Sequence, residues 1–89
     1  MDDAVGEVLD KLESEHLREH TLVIFLSDNG GPSNTGSANP PLHGEKTTTW
    51  EGAIRVPFVL SWPGKIAAGE TYHEPVIQLD LVPTILAAT

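Results

Sequence analysis

The sequence predicts an α/β fold in which helices flank a mostly parallel β-sheet. Three observations indicate this class: an acidic amphipathic segment opens the chain, an uninterrupted apolar run follows it, and a second strand-like run precedes a helical pattern at the end. Helix, buried strand and glycine-rich turn in this order form half of an α/β unit. With 89 residues, the chain is long enough for one small domain and too short for two.

The first block, residues 1–20, is typical of an amphipathic helix, which we place at 2–17. Asp2 and Asp3 stand where a helix N-terminus favours negative charge and a capping oxygen. Apolar residues recur at helical spacing while acidic residues occupy the other face; the apolar set is Val5, Val8, Leu9 and Leu12. We interpret the block as a solvated acidic face over a stripe that faces the core.

Two short apolar runs predict parallel β-strands at 21–27 and 56–61. The first run is continuous and rich in β-branched residues, which is typical of a strand covered on both faces in a parallel sheet. Pro57 stands near the start of the second strand, where a missing N–H is tolerated. Two such strands alone would leave faces and edges open, so we expect the isolated chain to self-associate or to be marginally stable.

The remaining elements are a long loop at 28–55 and a final helix at 79–88. The loop is rich in Gly, Pro, Ser, Asn and Thr, and loops of this length inside a compact domain are often functional. In the final helix, Pro83 fits the first turn and Asp80 is a candidate cap.

Composition excludes several classes of function. Thirteen Asp and Glu residues stand against 5 Lys and Arg, a net charge of -8, whereas binding nucleic-acid phosphates needs a basic face. No apolar segment approaches the ~20 residues that span a bilayer. Because the chain has no cysteine, it has no disulfide, thiolate zinc site or thiol nucleophile. We therefore expect no nucleic-acid partner and no membrane span.

The turn that follows the first predicted strand, Ser27 to Gly31, carries a candidate metal site. Ligands of open α/β sheets bind outside the carboxyl ends of the strands. Asp28 and Asn29 supply a carboxylate beside a carboxamide there, and hard cations such as Ca²⁺ and Mg²⁺ take such oxygen ligands. The alternative is a plain turn, since Asp-Asn-Gly is a common turn sequence.

A second cluster, residues 41–57, carries a candidate anion site. Lys46 stands among glycine and threonine residues and can neutralise a small anion through its charge and the nearby hydroxyls. The alternative is a solvated loop lysine. For Arg55 we favour a structural role as partner of Glu51 or of a backbone carbonyl.

Four motifs occur in a fixed order: "FLSDNGG", an Asn-Pro-Pro-Leu segment, "GEKTTTWEGAIRVPFVLSWPGKI" and "QLDLVPTIL". Together, over roughly residues 1–88, they resemble the type I (formylglycine-dependent) sulfatases of the alkaline-phosphatase-like superfamily. The resemblance implies a fragment from the later part of a sulfatase catalytic domain, which is an α/β sandwich with a mostly parallel sheet. It also implies a parent enzyme that hydrolyses sulfate esters, in a family whose members are often exported; the sequence leaves the compartment undetermined.

The resemblance also implies roles for individual residues. Asp28 and Asn29 match the family's pair of ligands to the active-site divalent cation, usually Ca²⁺ and otherwise a cation such as Mg²⁺. Lys46 matches the lysine that contacts the substrate sulfate group, and His43 is a further candidate on the substrate side. The implied substrate is a sulfated small molecule or a sulfated carbohydrate. A formylglycine nucleophile is expected in the parent protein.

Two departures from the family pattern stand out. Glu45 places a negative charge beside Lys46 where family members usually have glycine. The Cys/Ser-x-Pro/Ala-x-Arg motif that yields formylglycine is missing, since Ser14 has an arginine four residues later but histidine at the third position. We therefore expect the 89-residue chain alone to be inactive. The alternatives are a phosphoesterase or phosphonate hydrolase of the same superfamily, and a non-catalytic truncated remnant.

Overall fold

A computed structural model describes all 89 residues and shows an α/β arrangement of short elements. The helices are α1 (Asp2–Ser14), α2 (Glu51–Ile54) and α3 (Leu81–Ala88), and the strands are β1 (Val23–Leu26) and β2 (Phe58–Ser61). Three 3₁₀ turns, at Arg18–His20, Ser33–Thr35 and Gln78–Asp80, connect them. The α/β class predicted from the sequence is therefore present.

Helix α1 begins where the sequence predicts and ends earlier. It carries Asp2 and Asp3 in its first turn and ends at Ser14 rather than at residue 17. His16 has a φ of 57°, a left-handed conformation that a right-handed helix cannot contain, so the helix stops before it. Beyond this point, the Trp62 indole N–H donates to the Glu19 carbonyl at 2.8 Å, which holds the segment after α1 against the end of β2.

The two strands pair in an antiparallel ladder that runs from Val23 opposite Ser61 to Leu26 opposite Phe58. The expectation of parallel strands at 21–27 and 56–61 is therefore wrong for this pair. A parallel pair needs a crossover, usually a full helix, to carry the chain back to the starting end. The connection here contains no long helix, only the 3₁₀ turn at Ser33–Thr35 and α2, which has 4 residues. It returns the chain to the end of the sheet that it left, since Phe58 pairs with Leu26. A wider, mostly parallel sheet stays a prediction.

The buried part of the chain lies in the connection between the strands. Only 3 of 89 residues are buried, namely Gly30, Gly52 and Ala53. The sheet is not covered on both faces, since Phe25 and the opposing Val59 are 39% and 54% exposed. The uninterrupted apolar run of β1 is therefore not enclosed within this chain.

The end of the chain is a 3₁₀ turn followed by α3, which starts at Leu81 rather than at residue 79. Pro83 lies in the first turn of α3, as predicted. Asp80 does not cap α3 with its side chain; its carboxylate accepts from the Ile77 N–H at 2.8 Å and closes the preceding turn. No helix of the chain combines the length and apolarity needed to cross a membrane.

Candidate active site

Asp28 and Asn29 lie directly after β1, at the edge of the sheet where β2 begins. The Ser27 N–H donates to the Pro57 carbonyl at 3.3 Å, and the Ser27 hydroxyl donates to the Asn29 carbonyl at 2.8 Å. The Asn29 side-chain amide donates to the Asp28 carboxylate. The turn therefore holds a carboxylate and a carboxamide side by side, with Asp28 exposed and Asn29 half-buried.

Three glycine residues allow the backbone behind this turn to cross other segments at close range. The Gly30 N–H donates to the Ala53 carbonyl at 2.8 Å, and the Gly52 N–H donates to the His43 carbonyl at 2.7 Å. A Cβ on Gly30 would lie 1.8 Å from the Gly52 carbonyl oxygen, and one on Gly52 would lie 2.3 Å from that of Gly44. Only residues without a Cβ permit this approach. The crossing fixes the Asp28 turn relative to the loop that carries Lys46.

Asn39 joins the same two segments through its side chain. Its amide nitrogen donates to the carbonyls of Gly31 at 3.0 Å and Gly44 at 3.2 Å, and its amide oxygen accepts from the Gly31 N–H at 3.1 Å. Asn39 thus uses both donors and its acceptor on backbone groups. The sequence indicated it only as part of the Asn-Pro-Pro-Leu segment, because the residues it joins are spread along the loop.

Asp28, Asn29 and Lys46 line one cleft of about 900 Å³, and residues 72–78 form another part of its wall. Lys46 is exposed and takes part in neither of the two ion pairs of the chain. Its ammonium is therefore not neutralised by a carboxylate of this chain. The three residues that the sequence proposed for metal and anion binding share one solvent-accessible space.

Glu45, beside Lys46, directs its carboxylate away from this cleft. Hydrogen bonds from the Ser33 side chain and, second, from the Ser33 backbone N–H to the Glu45 carboxylate hold the pKa of Glu45 below its ordinary value. Glu45 is not among the residues that line the cleft. The negative charge that departs from the family pattern therefore has a backbone partner on the other side of the loop.

His43 and Arg55 occupy different surroundings. The His43 ring meets Trp50 edge-on, with ring centroids 5.1 Å apart and an interplanar angle of 73°, and it does not line the cleft. Arg55 lines the cleft and pairs with Glu51 at 3.1 Å, one helical turn away, so the predicted partnership is confirmed. The substrate-side role of His43 stays a prediction.

The part of the cleft wall at residues 72–78 contains polar residues that the sequence did not single out. Tyr72, His73, Glu74 and Gln78 lie there. The Gln78 side-chain amide donates to the carbonyls of Ser27 at 3.3 Å and Asp28 at 3.0 Å. No local pattern signals these contacts, because their partners are about fifty residues away along the chain.

The donor set at Asp28 and Asn29 fits part of a hard-cation site. Carboxylate and amide oxygens are the ligands that Ca²⁺ and Mg²⁺ take, and both side chains open into the cleft. The chain holds no cluster of three or more His, Cys, Asp or Glu residues suited to a metal ion. Ca²⁺ prefers about six to eight oxygen ligands, so this pair can supply only a share of the coordination.

Comparison with known proteins gives consistent matches. The family model of the sulfatases matches residues 1–89. Steryl-sulfatase of Rattus norvegicus is 42% identical over 93 residues, which cover 96% of this chain and 16% of that protein. N-acetylgalactosamine-6-sulfatase of Homo sapiens is 40% identical over 92 residues, which cover 98% of this chain and 17% of that protein.

A solved structure shares the fold of nearly the whole chain. The crystal structure of Ps i-CgsB in complex with k-i-k-neocarrahexaose superposes with a TM-score of 0.92 at 41% identity, over 97% of this chain and 19% of that one. The chain spans less than a fifth of the length of each of these relatives. Since the family match covers every residue, the chain belongs to the sulfatase family.

Proposed function

We propose that the protein containing this chain hydrolyses sulfate esters and that the cleft lined by Asp28, Asn29 and Lys46 receives the sulfate group. The observation that carries the proposal is the shared cleft of Asp28, Asn29 and Lys46. Oxygen ligands for a cation and an ammonium group at one site are complementary to a small anion. Because the chain belongs to the sulfatase family, we assign sulfate as this anion.

Lys46 is the residue that we assign to sulfate binding. Its ammonium is exposed in the cleft and has no carboxylate partner, so it can donate to sulfate oxygens. A positive charge placed where negative charge develops stabilises the transition state of group transfer. Glu45 does not oppose this role, because its carboxylate accepts from Ser33.

Asp28 and Asn29 are the residues that we assign to a divalent cation, Ca²⁺ or Mg²⁺. When bound, such a cation polarises an oxygen of the substrate as a Lewis acid. The chain's own part is to hold the two oxygen donors at the end of β1, and the glycine crossing behind the turn does this. The remaining ligands and the formylglycine nucleophile are proposed to come from other parts of the parent protein.

The proposed substrates are sulfated carbohydrates or small sulfated alcohols and phenols. Among the relatives, the names steryl-sulfatase and N-acetylgalactosamine-6-sulfatase point to both kinds of substrate, and Ps i-CgsB was crystallised with neocarrahexaose. The wall at residues 72–78 adds side chains that can hydrogen-bond a sugar, including those of Tyr72 and His73.

The direct test is Lys46→Ala in the complete sulfatase that carries these residues. We expect kcat/KM for an aryl sulfate to fall about 100- to 1,000-fold, the usual cost of one stabilising donor at a developing charge. Lys65→Ala is the matched control, since Lys65 is exposed in a turn and lies outside the cleft. A Lys46→Ala enzyme with the wild-type kcat/KM would refute the sulfate role.

Two further measurements separate the alternatives. Rates on matched sulfate and phosphate esters distinguish a sulfatase from a phosphoesterase, and we expect the sulfate to be hydrolysed faster. The isolated 89-residue chain is expected to show no turnover, because metal and sulfate ligands without a nucleophile do not complete the reaction. Turnover of an aryl sulfate by the pure chain would contradict this assignment of parts.

A further inference from the structure

We propose that Gln78 is a positioning residue for the Asp28–Asn29 ligand pair. Its side-chain amide fixes the backbone that presents these two side chains to a cation. The inference rests on the proposed function, because it concerns the cation site described there. It adds a contribution from Gln78, which also lines the cleft.

The geometry is that of one amide clamping two successive carbonyls. Gln78 Nε2 donates to the Ser27 carbonyl at 3.3 Å and to the Asp28 carbonyl at 3.0 Å. A carboxamide nitrogen carries two N–H groups, so it can make both bonds at once. Ser27 and Asp28 are the residues through which the chain leaves β1, so their peptide orientation sets the direction of the Asp28 side chain.

The clamp does not occupy the atoms that a cation would need. Gln78 binds backbone carbonyls, whereas the candidate ligands are the side-chain oxygens of Asp28 and Asn29. A cation and the Gln78 amide can therefore bind the turn at the same time. Gln78 can therefore orient the turn without binding the cation itself, which is the role of a positioning residue.

Gln78 is itself held by a closed turn. The Ile77 N–H donates to the Asp80 carboxylate at 2.8 Å, and the Asp80 N–H donates to the Ile77 carbonyl at 2.9 Å. The Thr84 hydroxyl donates to the Asp80 carbonyl at 2.6 Å, which ties this turn to α3. The amide donor therefore projects from a fixed backbone, and the start of α3 is linked through Gln78 to the ligand pair.

The expected consequence concerns cation affinity. Groups that orient metal ligands without touching the metal typically contribute about 10- to 100-fold to affinity. Removing the two donors of Gln78 frees the peptide units of Ser27 and Asp28, so cation binding must then order them. We expect the Kd for Ca²⁺ to rise about tenfold.

The experiment is a calorimetric titration of Ca²⁺ into the metal-stripped complete sulfatase. Gln78→Met keeps the length of the side chain and removes both donors, so its Kd should rise about tenfold. Gln78→Asn keeps the donors on a shorter side chain, so its Kd for Ca²⁺ should lie between those of Gln78→Met and the wild type. If Gln78→Met does not fold, the Kd of Gln78→Asn tests the proposal in its place. Thr89→Val is the control for general loosening of α3: the Thr89 hydroxyl donates to the Ile85 carbonyl at 3.1 Å at the far end of the helix, so its Kd should stay at the wild-type value.

Asp28→Asn separates this inference from the proposed function. If Asp28→Asn weakens Ca²⁺ binding and the Gln78 variants do not, the positioning role is overturned while the cation site stands. If Asp28→Asn also leaves the Kd unchanged, the cation site itself is refuted. An equal effect of Thr89→Val would likewise overturn the specific role of Gln78.

The rate of sulfate-ester hydrolysis gives a second readout. A positioning residue acts through occupancy of the site, so the Gln78→Met enzyme should need about tenfold more Ca²⁺ for half-maximal rate and should approach the wild-type kcat at saturation. A kcat that stays low at saturating Ca²⁺, with an unchanged half-maximal concentration, would contradict the proposal.

Discussion

Replacing Gly30 with alanine tests whether the backbone crossing behind the Asp28 turn builds the candidate site. Gly30 is buried, and its N–H donates to the Ala53 carbonyl at 2.8 Å. A Cβ at this position would lie 1.8 Å from the Gly52 carbonyl oxygen and 2.8 Å from the Gly52 carbonyl carbon. Both atoms belong to backbone, so no side-chain rotation can relieve the overlap.

The size of the effect follows from this geometry. The two segments must separate by about 1.2 Å before the new Cβ reaches even a tight contact, and overpacking of this kind costs about 1–3 kcal/mol. The hydrogen bond between Gly30 and Ala53 stretches at the same time, at a further cost of about 0.5–1.5 kcal/mol. We therefore expect a loss of about 1.5–4.5 kcal/mol in the free energy of unfolding.

Catalysis should suffer as well as stability. The crossing fixes the turn of Asp28 and Asn29 relative to the loop of Lys46. A misplacement of about 1 Å between groups that act on one substrate can cost about 100-fold in rate. The expected kcat/KM of Gly30→Ala for an aryl sulfate is therefore about 100-fold below that of the wild type.

The assay is urea unfolding of the complete sulfatase together with steady-state kinetics, and Gly6→Ala is the matched control. Gly6 lies inside α1, and a Cβ there would meet no atom within 4 Å. Alanine at Gly6 should stabilise the protein by up to about 1 kcal/mol, because glycine is the poorer helix former. Equal unfolding midpoints and equal kcat/KM for Gly30→Ala and Gly6→Ala would refute the crossing as the basis of the site.

Three further substitutions test hydrogen bonds and an ion pair in the connection between β1 and β2. The pKa of Glu45 is lowered by the bond from Ser33, so the stability from this bond is present above pH 4.5 and is lost as the pH falls through the lowered pKa. Glu45→Gln should therefore flatten the fall of Tm below pH 4.5, and an unchanged profile would contradict the contact. Asn39→Asp exchanges two donors for a carboxylate and should lower the free energy of unfolding by about 1–3 kcal/mol, and wild-type urea unfolding would count against this. Arg55→Met removes an exposed ion pair with Glu51 and should cost only about 0.3–0.5 kcal/mol by the same measurement; a loss above about 1 kcal/mol would show a larger role.

Much of the local structure could be predicted from the sequence. The amphipathic period placed α1, the β-branched run placed β1, and Pro83 together with the apolar spacing placed α3 to within two residues of its start. These features depend on neighbours in the chain, which a sequence pattern describes directly. The observed end of α1 and the observed start of α3 differ from the predicted ones. The left-handed His16 stops α1 early, and a 3₁₀ turn precedes α3.

The candidate site was predicted in part for the same reason. Asp28, Asn29 and Lys46 belong to short motifs, so their residue types are visible without any structure, and the structure brings them to one cleft. The contacts of Asn39 and Gln78 were not visible, because each side chain binds backbone carbonyls that any residue could supply.

By itself, the sequence determined the order of elements, the residue types that we propose for a cation and a sulfate, and the membership of the sulfatase family. Only the tertiary structure decided that β1 and β2 run antiparallel, that Glu45 turns to Ser33, and that Gln78 reaches the Asp28 turn. The physical reason is the range of the interactions. Helical period and turn chemistry act over a few residues, whereas strand direction and cross-chain hydrogen bonds depend on the path of the whole connection.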